Sequence, residues 1–298
     1  MLSNIKKNRL YKVIRKKILD RIAAIDKIYF SLTGKKEPEG INAINRKIID
    51  RDIIRVCSKN NVSVLNIDKS GYDLFERRLH FDDLYEKGIW QRYERKILEY
   101  YLAYKLLNLE KYRGGIYLDG ASSASPWALW CREHLGIDAY SVDIIRPERE
   151  TGCFIHADIT NLPFKDGTVN AISLQSSLET FPNDIDIRFI KECGRILQKG
   201  GTAIISPLYL NVDYCNCYGK SFYKNSEAEP EAKKYLRLDY DMEFTRLYDV
   251  NSLKKRILDT ARKCGLKYRI YIIKGDLDLI DRRYPYIYMR YCLELKKV

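Results

Sequence analysis

After Gly114-Gly115 the apolar residues fall into short strand-length runs separated by stretches with the three-to-four-residue spacing of a helix. Strand-like runs lie at 116–119, 139–143, 153–156, 169–174, 202–206, 268–273 and 286–295, and helical spacing fills 126–135, 185–197 and 250–264. No other feature restricts the fold as much. Strand–helix–strand units cross over right-handedly and lay their strands parallel. The spacing therefore predicts an α/β fold, with a mostly parallel seven-stranded sheet and helices on both faces. Only residues 276–283 connect the last two strands, a link short enough for them to pair antiparallel at one edge.

The chain ahead of this pattern reads differently. Leu10, Ile14, Ile18, Ile22, Ile25, Tyr29 and Leu32 recur every three or four residues, with Lys and Arg between them. That is a basic amphipathic helix, an N-terminal helical extension to the sheet domain. Residues 1–40 hold eleven Lys/Arg against four Asp/Glu, so +7 of the net +13 sits there. The stripe lacks Trp and Phe anchors, which favours packing on the domain or on a partner protein over contact with an anionic membrane surface. The expected organisation is thus an arm at 1–40, a helical region at 41–112 and a sheet domain at 113–298 with an insertion at 209–248. Within 41–112, the alternation from Val62 to Ile67 suits a short strand. A helical run over 84–109 carries Tyr85, Trp90, Tyr93, Tyr100, Tyr101 and Tyr104, an aromatic stripe that reads as core or as the wall of a pocket.

No window approaches the roughly 20 apolar residues of a membrane span, and the N-terminus shows no signal-peptide core, so a cytoplasmic protein, at most peripheral at the membrane, is expected. The eight cysteines are scattered through apolar runs as buried thiols are. Cys215 and Cys217 alone are close together, and without a second ligand pair they point to no metal.

Four features carry chemistry. The strand Ile116-Tyr117-Leu118-Asp119 runs into the small residues Gly120, Ala121, Ser122, Ser123, Ala124 and Ser125, and then into Pro126 and a helix. Small side chains let a ligand approach the backbone, and the helix start offers free N–H groups. The next strand ends in Asp143, 24 residues after Asp119, a distance that suits an acceptor for ribose hydroxyls. A third strand ends at His156-Ala157-Asp158-Ile159, and Leu162-Pro163-Phe164 with Asp166-Gly167 leads into a fourth that ends at Leu174-Gln175-Ser176-Ser177. In open α/β sheets ligands bind at the carboxyl ends of strands, so these features converge on one crevice.

The stretch from Ile116 to Leu208 resembles the class I S-adenosylmethionine-dependent methyltransferases, particularly their small-molecule branch. The resemblance lies in the loop after Asp119, in Asp143 and Asp158, in the Leu162-Pro163-Phe164 phrase, and in the run from Glu192 to Gly201 before the strand at 202–206. It covers about a third of the chain. It implies a Rossmann-like domain with S-adenosylmethionine as cofactor, held by Asp119, Gly120, Ala121, Ser122, Ser123, Asp143, Ile144, Asp158, Ile159 and Gln175. In place of the family's alternating glycines this chain has Ala121, Ser123 and Ser125, which resist positive φ by about 1 kcal/mol. Glu179, after the fourth strand, stands where relatives place a residue near the transferred methyl, as a general base or as a helix-start carboxylate. His80, His134 and His156 are assigned no catalytic part.

Methyl transfer needs alignment and exclusion of water more than protein chemistry, so a sparse catalytic motif is compatible with an enzyme. The expected acceptor is a small molecule or a glycan, with cell-surface polysaccharide assembly as one setting. The tyrosines at 209, 214, 218, 223, 235, 240 and 248 suit stacking on a sugar or ring, or a packed lid. A nucleic-acid methyltransferase is the second reading. It is weakened because no Asn/Asp-Pro-Pro-aromatic motif follows the fourth strand and there is no Pro-Cys nucleophile. A binding or scaffold protein with a degenerate loop is the third.

Overall fold

The structure is a computed structural model that describes residues 43–79, 96–122, 125–147, 152–237, 241–280 and 289–298. The arm at 1–40, the aromatics Tyr85, Trp90 and Tyr93, and Ser123 lie outside the described residues. The chain opens with helix α1 (Ala43–Cys57), strand β1 (Val62–Ile67), α2 (Lys69–Arg78) and α3 (Ile97–Leu107). The alternating part follows as β2 (Ile116–Gly120), α4 (Trp127–Leu135), β3 (Asp138–Asp143), β4 (Phe154–His156), β5 (Val169–Gln175), α5 (Ile185–Ile196) and β6 (Leu197–Ser206).

Eight strands form the main sheet in the order β1-β10-β11-β6-β5-β2-β3-β4, where β10 is Leu266–Gly275 and β11 is Tyr291–Lys297. Strand β11 runs antiparallel to both neighbours, and every other pair is parallel. The last two strands do pair antiparallel, but not at the edge: β11 lies inside the sheet and β1 takes the outer position beside β10. Burial explains the order. Tyr291, Cys292, Leu293 and Leu295 are all buried, which an inner strand requires, whereas β1 leaves Val64 half exposed, as an edge allows. The strand order reverses at β2, which has β3 on one side and β5 on the other, and a ligand crevice forms outside such a reversal.

Two apolar layers cover the sheet. One packs Ile49 and Ile53 of α1, Phe189 and Ile190 of α5, and Leu253 and Ile257 against Leu118, Val142, Ile172 and Ile205. The other packs α2, α3 and α4 against Tyr117, Ala139, Ala171 and Ile204. In this second layer Tyr100 stacks on Trp127 at 5.0 Å, Trp127 on Trp130 at 5.1 Å, and Trp130 on His134 at 4.9 Å. The described part of the aromatic stripe is therefore core, and His134 is structural, its Nδ1 lying 3.1 Å from the Trp130 carbonyl oxygen. Helix α4 follows Pro126 and stops at Gly136, whose φ of 64° is the left-handed turn that commonly ends helices.

The helix expected over 250–264 is not continuous. It runs as α6 (Val250–Leu253), a π turn (Lys254–Leu258) and α7 (Asp259–Lys263); within the π turn Arg256 donates to both oxygens of Asp186, at 2.9 and 2.7 Å. A short helix α8 (Leu277–Ile280) follows β10. Between β6 and α6 lies a second sheet of order β8-β7-β9, made of β7 (Cys215–Gly219), β8 (Lys233–Arg237) and β9 (Thr245–Leu247). Its tyrosines Tyr214, Tyr218 and Tyr248 are buried, so these three pack rather than present rings to a ligand.

Candidate functional site

The turn that leaves β2 is unusually tight. Ala121 has a φ of 47°, so a position where the related loop carries glycine does need the left-handed region here, and alanine bears the strain. A Cβ on Gly120 would stand 2.8 Å from Ile159 Cδ1, and Ile159 is buried beneath the turn. The amide of Ser122 donates to the Val142 carbonyl at 3.3 Å and the Ser177 hydroxyl donates to the Ala121 carbonyl at 3.1 Å, which fixes the turn between β3 and β5.

A directional chain of hydrogen bonds runs beneath this turn, on the face covered by α3 and α4. Trp127 Nε1 donates to Tyr117 Oη at 2.7 Å, and Tyr117 Oη and Ser173 Oγ are 2.5 Å apart. The Ser173 hydroxyl donates to Asp119 Oδ1 at 3.2 Å and accepts from Gln175 Nε2 at 3.1 Å. A hydroxyl has one proton, so Tyr117 is the donor to Ser173. The chain ends at Asp119, whose Oδ2 is buried and has no partner among the described residues. Burial pushes the Asp119 carboxyl up to about 7, against the pull of the Lys96 ammonium and of the Ser125 and Ser173 hydroxyls.

On the β3–β4 side the acids are open and locally engaged. Asp143 Oδ1 accepts from the Ile145 amide at 2.8 Å, and Ile144 beside it is 63% exposed. Asp158 is exposed, and its Oδ1 accepts from both the amide and the hydroxyl of Thr160 at 2.8 Å. His156 Nε2 lies 2.9 Å from the Ile144 carbonyl oxygen. The register that sets Asp119 against Ser141 and Gly120 against Val142 places Asp119, Ala121 and Asp143 together at the carboxyl ends of the neighbouring strands β2 and β3.

The β5 side is the buried half. Gln175 ends β5, Ser176 follows with a φ of 50°, and Glu179 lies in the 3-10 turn Leu178–Thr180. Glu179 is 7% exposed, and its Oε2 has no partner among the described residues. Burial pushes its carboxyl up to about 8, opposed by its own backbone N–H and by the Lys96 and Arg237 cations.

Sequence reasoning missed Lys96, Glu99 and Ser173. Lys96 Nζ donates to the Gln175 carbonyl at 2.9 Å and to Glu99 Oε2 at 3.2 Å, and the Ser176 hydroxyl donates to Glu99 Oε1 at 2.9 Å. Both Asp119 and Glu179 feel Lys96 and Glu99, so the four form one electrostatic unit across the ends of β2 and β5. A Lys and a Glu three apart on a helix ordinarily mark a solvated pair, and nothing in the spacing sets this one apart. Among the described residues no group of three or more His, Cys, Asp or Glu is placed to hold a metal ion. No helix among them is long and apolar enough to cross a membrane.

An α/β sheet with a strand-order reversal, a strained small-residue turn and strand-end carboxylates defines a nucleotide-type crevice. Residues 120–205, from that turn to the penultimate residue of β6, match the Methyltransferase domain family. Over this span the chain is similar to methyltransferase domains, in line with the resemblance read from the residues that follow Asp119. Solved structures of similar outline include 1,6-didemethyltoxoflavin-N1-methyltransferase of Burkholderia thailandensis (13% identity, 80% of this chain and 94% of that chain, TM-score 0.45). Others are a putative S-adenosylmethionine-dependent methyltransferase of Listeria monocytogenes (13%, 67% and 99%, 0.43) and a chain from the Haloferax volcanii complex of the Trm112 methyltransferase activator with a putative methyltransferase (16%, 73% and 97%, 0.42). No curated protein is detectably similar to the chain in sequence.

The residues present fit the cofactor. Asp119 Oδ2 and Ser122 Oγ are buried without partners among the described residues at the end of β2, where an amino-acid moiety would supply donors and acceptors. Ile144 offers an exposed apolar surface beside Asp143.

Proposed function

We propose that this crevice binds S-adenosylmethionine and directs its methyl group to a small-molecule or glycan acceptor in the cytoplasm, with cell-surface polysaccharide assembly as the setting. The observation that carries the reading is the unfinished polar end of β2: a buried carboxyl oxygen and a buried hydroxyl, both without partners among the described residues, at a turn held at positive φ. Leaving such groups unsatisfied costs about 1–3 kcal/mol each, a cost a bound polar ligand removes.

On this reading Asp119 and Ser122 receive the amino-acid end and Asp143 accepts from ribose hydroxyls. Ile144 covers the purine, Asp158 accepts from its amino group, and Ile159 supports Gly120 from below. Gln175 and Lys96 close the β5 side. When bound, the cofactor supplies a methyl group already activated on a sulfonium. The protein's share is to orient the acceptor and exclude water, which α3 and the second sheet do by covering the β5 side. The methyltransferase domain is then 113–298, with 209–248 as its insertion and 41–112 as a helical cap.

A small acceptor is favoured over nucleic acid by the charge at the crevice. Despite the net +13, the strand-end acids that reach solvent among the described residues are Asp143 and Asp158, whereas a phosphate backbone is bound by a basic track. Calorimetric titration with S-adenosylhomocysteine is the test. Saturable heat at micromolar ligand is expected, weakened at least tenfold by Asp143→Ala, and no heat at millimolar ligand removes the reading.

A further inference from the structure

Glu179 is a buried carboxyl that the cofactor reading leaves without work. Its Oε2 is buried and has no partner among the described residues, although donors stand nearby: Lys96 is spent on Glu99 and the Gln175 carbonyl, and Arg237 Nη1 donates to Thr245 Oγ1 at 3.3 Å. The charged and titratable groups facing it are Lys96 and Glu99 from the start of α3, Arg237 from β8 and Tyr209 from the segment after β6. Strand β9 also packs on its turn, but Arg246 there is committed to Asp186 and Glu229. Glu99 repels a negative charge on Glu179 and the two cations only partly offset burial.

We propose, resting on the cofactor reading above, that Glu179 is a charge-coupled base. Its carboxyl keeps a proton in the empty site, releases it to solvent when the cofactor's positive charge binds beside it, and then takes the proton of an acceptor hydroxyl. A carboxyl that titrates at about 8 in the empty site is mostly protonated at pH 7.5. An opposite charge within about 4–6 Å lowers a carboxyl pKa by roughly one to three, enough to ionise Glu179 at the same pH.

The balance of the transfer is simple. The acceptor oxygen forms the new bond to the methyl carbon, the carbon–sulfur bond breaks with its electron pair left on sulfur, and the hydroxyl proton goes to Glu179 Oε2. With the positive charge gone, Glu179 again favours its protonated form, so the step is driven toward product. An acceptor with an ionised nucleophile, a carboxylate or thiolate, meets Glu179 and Glu99 as like charges and has no proton to give. The site therefore selects a neutral hydroxyl.

The test compares S-adenosylmethionine, a sulfonium, with S-adenosylhomocysteine, a neutral thioether, without acceptor. Each is titrated calorimetrically into the full-length protein at pH 7.5 in phosphate and in Tris, whose ionisation heats differ. The expected result is that the sulfonium releases roughly half a proton more than the thioether. Glu179→Gln abolishes this difference. Equal proton counts for the two ligands in the wild type overturn the proposal, as does a difference that survives Glu179→Gln. The wild-type comparison needs no variant, so it decides the matter even if Glu179→Gln fails to fold. No heat with either ligand overturns the cofactor reading, and this proposal with it.

Discussion

The molecule has two buried clusters of charge, and they are built to opposite rules. In the first, Arg246 is wholly buried and bonds Glu229, Asp186 and the Asn183 carbonyl. Arg256 and Tyr248 complete Asp186, while Tyr214 and Asn216 complete Glu229. Two cations meet two carboxylates. Burial works against the Glu229 charge, yet Arg246 and Tyr214 hold its carboxyl below the usual range. In the second cluster Asp119, Glu99 and Glu179 gather around Lys96, and among the described residues two of the three carboxyls keep an oxygen without a partner. The first joins the second sheet to the N-terminal end of α5 and needs nothing more. The second leaves two carboxyl oxygens without a partner among the described residues. Satisfaction of buried polar atoms, rather than the presence of charge, separates a structural clip from a site.

The largest effect should come from breaking the clip. Arg246→Met leaves Glu229 without its cation and Asp186 with Arg256 alone, and removing one partner of a buried pair costs about 3–5 kcal/mol. Urea unfolding should show that loss. A variant within about 1 kcal/mol of wild type would mean that apolar packing holds the second sheet and that the contrast between the clusters is empty.

The unfinished cluster should reveal itself through pH. Asp119 and Glu179 hold their protons to about 7 and about 8, whereas in the unfolded chain such carboxyls titrate near 4. Between those values the folded protein binds more protons than the unfolded chain, so its stability falls as pH rises and levels off above about 8. Glu179→Gln removes part of that slope and should recover about 2–4 kcal/mol relative to wild type between pH 5.5 and 8.5. Denaturation curves at the two pH values decide it. The same slope in both proteins would place Glu179 in water, not in a dry site.

How much of this contrast was visible in the residues alone depended on range. The strands after Gly115 were readable because their apolar runs are local, and Asp119, Asp143 and Asp158 could be placed because each ends such a run. The positions of β1 and β11 were not readable, since sheet order depends on which strand buries both faces, a property of the whole assembly. Lys96 and Glu99 look like an ordinary helical surface pair until α3 is laid over the end of β5. Ser173 looks like a weak strand residue until Tyr117, Gln175 and Asp119 meet at its hydroxyl. Arg246 is the extreme case, since one of two Arg in a Tyr-rich insertion gives no sign that its side chain is wholly buried in the clip.

The smallest effect tests whether strain in the site is separable from its chemistry. Ala121 sits at a φ of 47°, where an L-residue with a Cβ is disfavoured by about 1 kcal/mol or more relative to glycine. The turn is held there by the Ser122–Val142 and Ser177–Ala121 hydrogen bonds, which use backbone atoms that glycine also has. Ala121→Gly should therefore raise stability by about 1 kcal/mol and the unfolding temperature by a few degrees, discounted by the greater freedom of glycine in the unfolded chain. Affinity for S-adenosylhomocysteine should stay within about threefold of wild type, because no orphaned side chain is removed. Ala121→Val, with a β-branched side chain at the same φ, should go the other way. If glycine destabilises the protein, the turn relaxes in solution to an ordinary conformation. The crevice at the end of β2 is then shaped by the ligand and is not formed before it arrives.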